Sequence, residues 1–168
     1  MRFLAGILVG LLLVAAGAGA WIASGSFNVA ATKPPGRLEK RLADFALDRS
    51  VKRRAPRGKN PFAGSAEAAR EGLVHYKEMC VTCHGAPGID PSEIGEGLNP
   101  PAPDLTLPKV QALSDGELFW LLQNGIRMSG MPGFGPTHND QEVWNIVTFL
   151  RRLPEITPEE QKLLKPEE

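Results

Sequence analysis

The sequence predicts an all-α protein. It has one domain of three main helices and a long Pro/Gly-rich loop, preceded by an apolar N-terminal helix. Three observations carry this. No stretch alternates apolar and polar residues with the period of two that a half-buried strand requires. Three segments between residues 65 and 154 repeat apolar side chains at helical spacing and are punctuated at their ends. Residues 3–22 hold no charge.

That first segment, FLAGILVGLLLVAAGAGAWI, is twenty residues long. At 1.5 Å per residue, about twenty apolar residues cross a hydrocarbon core roughly 30 Å thick. Trp21 falls where an interfacial aromatic belongs. With Arg2 before it and AGA at 18–20, the run also fits a signal peptide with a cleavage site. The apolar run continues past that site, so an uncleaved anchor over residues 1–23 is the expectation, with a signal peptide as the alternative. In either case the remaining chain is exported.

The formal charge of zero hides an asymmetry. Residues 33–59 carry ten Lys/Arg against three Asp/Glu, a net of +7, whereas residues 60–168 carry eight against sixteen, a net of −8. An acidic domain is not built for nucleic acid. The basic stretch directly after the apolar helix opposes the positive-inside rule, so export rests on the signal function of the helix itself. Residues 24–59 are expected to form a basic juxtamembrane tether. Within it RLEKRLADFALDRSVKRR (37–54) spaces Leu38, Leu42, Phe45 and Ala46 as a helix does. That suits an amphipathic helix on anionic headgroups or against the domain, or a solvated spacer. APRGKNP (55–61) is a break.

The domain is expected over residues 60–154. SAEAAREGLVHYKEM is its first helix, with Ser65 as N-cap and Glu67 in the first turn. Residues 85–108 hold six prolines and four glycines, too many for a regular element. Ile89, Ile94, Leu98, Leu105 and Leu107 suit an ordered loop wrapped on something apolar. SDGELFWLLQNG is the second helix: Ser114 and Glu117 form the capping-box pattern, and Gly125 sits at the C′ position. NDQEVWNIVTFLRRLP is the third, with Val143, Ile146, Val147 and Leu150 on one face and Pro154 ending it. An acidic tail, 155–168, follows.

Both cysteines and one of the three histidines lie in CVTCHG, residues 80–85. A redox dithiol usually sits at a strand-to-helix junction, and no strand is predicted. A structural zinc needs four ligands, and only His75 and His138 remain as imidazoles. Covalent haem attachment fits every position. Residues three and four apart share a helix face, so Cys80 and Cys83 can bond the two vinyl groups while His84 reaches the iron.

Residues 65–153 resemble a class I, single-haem cytochrome c. GLVHYKEMCVTCHG is similar to that family's N-terminal helix, NGIRMSGMPGFGP (124–136) to its distal methionine loop, and VWNIVTFLRRLP to its C-terminal helix. SGSFNVAAT is similar to membrane-anchored bacterial members. The resemblance implies one covalent haem c with His84 and Met131 as axial ligands. Met128, three residues earlier, is the lesser candidate; Met79 fills the helix face, and His75 and His138 are expected at the surface. It also implies a proline carbonyl bonded to the ligating imidazole, with Pro100 preferred over Pro101. Gly72 is expected to let the first and last helices cross closely, against an aromatic such as Phe149. Phe119, Trp120, Leu121 and Trp144 are expected in the haem pocket or core.

The function expected is electron transfer at the periplasmic face of the inner membrane, without enzyme activity. Membrane-bound redox proteins are the expected partners, and no small-molecule substrate or nucleic acid is. The alternatives are a fixed cytochrome subunit of an oxidase or dehydrogenase complex, and a haem sensor or small peroxidase with a labile sixth ligand.

Overall fold

A computed structural model describes residues 2–165, all helical or irregular among the described residues. The chain divides between Lys33 and Pro34 into two compact units. The first is built on α1, Arg2–Ala23, long and apolar enough to cross a membrane. Twenty-two residues span about 33 Å as a helix. None of its side chains is buried within the protein. In its last turn the Trp21 ring meets that of Phe27, just past the helix, edge to face at 5.3 Å.

The second unit begins with α2, Arg37–Arg54. Its buried residue is Val51, with Leu47 and Ser50 half-buried. The exit of α2 is pinned where Asn60 Nδ2 donates to Thr148 Oγ1 at 2.9 Å in the interior. The tether expected over 24–59 is therefore not separate from the domain along its whole length, because α2 belongs to the same compact unit. The residues that accomplish this are few, Leu47 and Val51 on the helix and the Asn60–Thr148 bond past its end, and the surrounding cations conceal them in the sequence.

Helix α3, Ala66–Met79, starts at Ser65, whose hydroxyl accepts from Ala68 N at 3.2 Å. Three single-turn helices follow in the loop region: α4 (Val81–His84), α5 (Glu93–Glu96) and α6 (Pro108–Gln111). Helix α7, Asp115–Asn124, has the Ser114–Glu117 capping box, and α8, Asp140–Arg152, has one between Asn139 and Glu142.

The core is the crossing of α3 and α8, with Leu73, Tyr76, Ile146, Phe149 and Leu150 buried there. The crossing is close because of Gly72. A Cβ on it would lie 2.1 Å from Asn145 O and 2.8 Å from Phe149 Cβ. Leu118 and Leu122 of α7 close the core from another side. Arg151 ties α7 to the end of α8: its Nε pairs with Asp115 Oδ1 at 2.7 Å, and its other nitrogens donate to the carbonyls of Gln111 and Leu113.

The segment after Pro154, expected as an acidic tail, folds back onto the domain. Helix α9, Pro158–Leu164, buries Leu164 completely. Gln161 Nε2 donates to Pro87 O at 2.6 Å and Glu160 pairs with Arg152 at 2.6 Å. Thr157-Pro-Glu-Glu160 is itself a capping box with Pro at the first helical position, so the signal was present in the sequence. Burial pushes the Glu160 carboxyl up, but bonds from Thr157 N and Arg152 outweigh it and hold the group below its ordinary value. A depressed acid stabilises the fold above its unfolded pKa, and that contribution is lost as pH falls through the folded one. Docking of α9 is therefore expected to weaken below about pH 4.5. Hydrogen exchange of residues 158–164 checks this. Glu160→Gln should exchange faster at pH 7 and show a smaller pH dependence than wild type.

Candidate functional site

The site is assembled at the C-terminal end of α3. Cys80 is both the end of α3 and the start of α4. Cys83 N and His84 N both donate to Cys80 O, at 3.1 and 2.9 Å, so CVTCH is one closed helical turn. By helical spacing the two cysteines and the histidine fall on one side of this turn. Gly85, at φ 61°, ends the turn in a conformation that favours glycine. Tyr76 Oη donates to Gly85 O at 2.6 Å and fixes the turn to α3. On the other side Ser92 N and Oγ both donate to Thr82 O at 2.9 Å, seating α5 on the motif.

Tyr76→Phe leaves the buried Gly85 carbonyl without its donor, at a cost of about 1–3 kcal/mol. The melting temperature of the matured protein should fall by several degrees, with the visible spectrum unchanged, because the phenol touches the backbone of the turn.

His84 Nδ1 lies 2.8 Å from Pro103 O. A carbonyl oxygen can only accept, so Nδ1 carries the proton and Nε2 keeps a bare lone pair. Burial lowers the pKa of the ring, opposed by the Pro103 bond, and favours the neutral imidazole a metal needs. This corrects the expectation of Pro100: that residue is exposed, and the carbonyl at the ring belongs to Pro103. The LNPPAPDL stretch offers three prolines, and which one faces the imidazole depends on the path of the loop.

Cys80 is buried, and burial, then Cys83, pushes its thiol up to about 12. Thiol–disulfide chemistry needs a thiolate, so this environment disfavours a redox dithiol. Among the described residues no group of three or more His, Cys, Asp and Glu is placed as a metal cluster.

Met131 lies in the loop between α7 and α8, half-buried and packed against the core. Its carbonyl accepts from Ile126 N at 3.2 Å and its own N–H donates to Ser129 Oγ at 3.2 Å. A Cβ on neighbouring Gly130 would fall 2.4 Å from a Leu98 methyl carbon, so the methionine loop rests directly on the Pro/Gly-rich loop. Met128 is 91% exposed at φ 59°. Met79 packs on the core, as expected. His138 is half-buried rather than at the surface; its Nδ1 is 2.8 Å from Thr137 Oγ1 and its ring is 5.2 Å from that of His75. His75 is likewise half-buried. Phe119 and Trp144 stack at 4.2 Å, and Trp120 and Leu121 are half-buried. Sequence reasoning missed Pro103, Ser92 and the Leu98–Gly130 contact; only the capping pattern of Ser92 was open to it.

The donor set fits a covalently attached haem. Two thiols one turn apart, an imidazole with its second nitrogen free and a thioether in a constrained loop are what the group requires. An all-helical domain built this way is a c-type cytochrome. The model of the family described as "Cytochrome C oxidase, cbb3-type, subunit III" matches residues 67–150, and the chain belongs to that family. A comparison with curated proteins gave no match. The chain thus carries one covalent haem c and functions in haem-based electron transfer.

Proposed function

We propose that this chain is a membrane-tethered electron carrier whose iron is held by His84 and Met131, with thioethers at Cys80 and Cys83. The observation that carries the reading is the His84 ring, held by Pro103 O so that Nε2 is bare. A haem held there would supply a one-electron ferric/ferrous couple, so that the chain could pass an electron from donor to acceptor with no bond made or broken. The protein's part is to hold the geometry still between the two states. Pro103 fixes the imidazole tautomer and raises its basicity. Pro132 stiffens the methionine loop, while Gly130 and Gly133 let it pack closely on Leu98 and Asn124; a loop held in this way favours a weak thioether bond by cutting the cost of ordering it. With His84 and Met131 both holding the iron, no coordination position would be left open to a substrate, which favours a carrier over an enzyme. Helix α1 keeps the domain at the periplasmic face of the inner membrane, where tethering raises the local concentration of membrane-bound partners.

The test is carbon monoxide binding to the reduced, matured protein. A six-coordinate carrier binds it poorly, whereas ready binding would overturn the reading in favour of sensing or peroxidase chemistry. A second reading, a fixed subunit of a respiratory complex, is favoured by the family's own description. Co-purification with a large complex after gentle solubilisation would select it over the free tethered carrier.

A further inference from the structure

We infer that α2 is a two-faced bracket: one face binds the haem domain, and the opposite face seats on the anionic headgroups of the bilayer that α1 enters, fixing how the domain is tilted on the membrane. This rests on the membrane-tethered reading above.

Helical spacing separates the two faces. Leu47 and Val51, four apart, turn toward the domain, with Val51 4% exposed. Leu38, Leu42 and Phe45 lie on the other side in one row, and they are 70%, 60% and 61% exposed. Arg49 continues that row, with its guanidinium carbon 5.4 Å from the centre of the Phe45 ring. By the same spacing Arg41 and Arg53 border the row on either side. The acidic residues do not interrupt it: Asp44 and Asp48 pair with Lys40 and Lys52 along the helix, at 2.6 and 2.7 Å.

An apolar row fringed by arginines is the pattern of a helix lying in a headgroup layer. The apolar side chains enter the acyl boundary while long cations reach the phosphates. Two features of the chain choose lipid as the occupant. Helix α2, which presents the row, carries seven Lys/Arg against three Asp/Glu, a net of +4, complementary to anionic lipid. It also starts only thirteen residues after α1 ends. At no more than about 3.6 Å per residue, that connection keeps the row within about 50 Å of the surface that α1 enters, so the row can reach it. Because the domain-facing residues belong to the same rigid helix, seating the row sets the orientation of the haem domain. Donor and acceptor in the same membrane would then meet a restricted set of its surfaces.

The experiment uses full-length matured protein in nanodiscs of phosphatidylcholine, with or without phosphatidylglycerol. A nitroxide is placed at Leu42→Cys, the native thiols being consumed in thioethers, and its collisions with oxygen and with a water-soluble nickel chelate are measured. In anionic discs the chelate collision rate should drop severalfold and the oxygen rate rise. The triple variant Arg41→Glu/Arg49→Glu/Arg53→Glu should reverse both. Equal chelate accessibility in the two lipids overturns the inference. Protection that grows with protein concentration and ignores lipid charge also overturns it, in favour of a second copy as the occupant. A second label at Leu11→Cys separates the two readings. If it is embedded in lipid while the Leu42 label stays in water, only the bracket fails. If Leu11 is water-exposed, or absent from the mature chain, the tethering itself fails.

Discussion

Met131→Ala is expected to abolish the weak long-wavelength sulfur-to-iron absorption of the ferric protein and to open the reduced protein to carbon monoxide. The loop backbone remains, since its hydrogen bonds run through Ser129, Ile126 and Leu122 rather than the thioether. No neighbour is arranged to replace the lost sulfur. Met128 points to solvent, and His138 is held by Thr137 and by the rings of His75 and Phe134. The reduction potential should fall by a substantial part of the roughly 0.8 V range over which axial ligands set haem potentials. Met128→Ala is the control and should leave band and potential unchanged. If Met128→Ala removes the band, or Met131→Ala keeps it, the ligand assignment is wrong.

Gly72→Val is expected to be the most damaging single change to the fold. The first carbon of any side chain there meets a backbone carbonyl at 2.1 Å, and the rest of a valine has nowhere to go. Separating α3 from α8 would open the core around Tyr76 and Phe149, whose rings sit 5.3 Å apart, and shift the helix that carries the cysteines. Overpacking of a core costs about 1–3 kcal/mol and sometimes more. Because the obstacle is backbone, the upper end applies. For a domain of this size that corresponds to a loss of roughly 10–25 °C in Tm, and the yield of matured holoprotein should fall with it. Thermal unfolding followed by far-ultraviolet circular dichroism decides the matter. A Tm within a degree or two of wild type would show that the helices do not cross as closely as the geometry requires.

Local patterns carried most of what was legible in advance. The three main helices were readable because their apolar spacing and caps lie within a few residues of one another: Ser65 at the start of α3, Ser114 with Glu117 at α7, and Pro154 just past α8. Cys80, Cys83 and His84 stand out as the attachment group because that chemistry demands a fixed spacing within one turn. Helix α9 was equally available from Thr157 and Glu160. It is hidden because its net acidity suggests a solvated tail, while its one buried anchor, Leu164, is a single residue without a periodic pattern.

Neighbouring residues alone therefore specify the all-helical class, an apolar N-terminal segment long enough to span a membrane, and a haem-attachment turn followed by a methionine loop. The tertiary structure alone decided that Pro103 and not Pro100 holds the His84 imidazole, that Leu98 supports the methionine loop, and that α2 and α9 belong to the body of the domain. Those facts join residues far apart along the chain: 19 positions between His84 and Pro103, 74 between Pro87 and Gln161, and 88 between Asn60 and Thr148. The physical reason is that spacing along a helix fixes only which residues share a face. Which distant backbone group meets that face is set by how irregular segments are packed around the core, and composition carries little of that information.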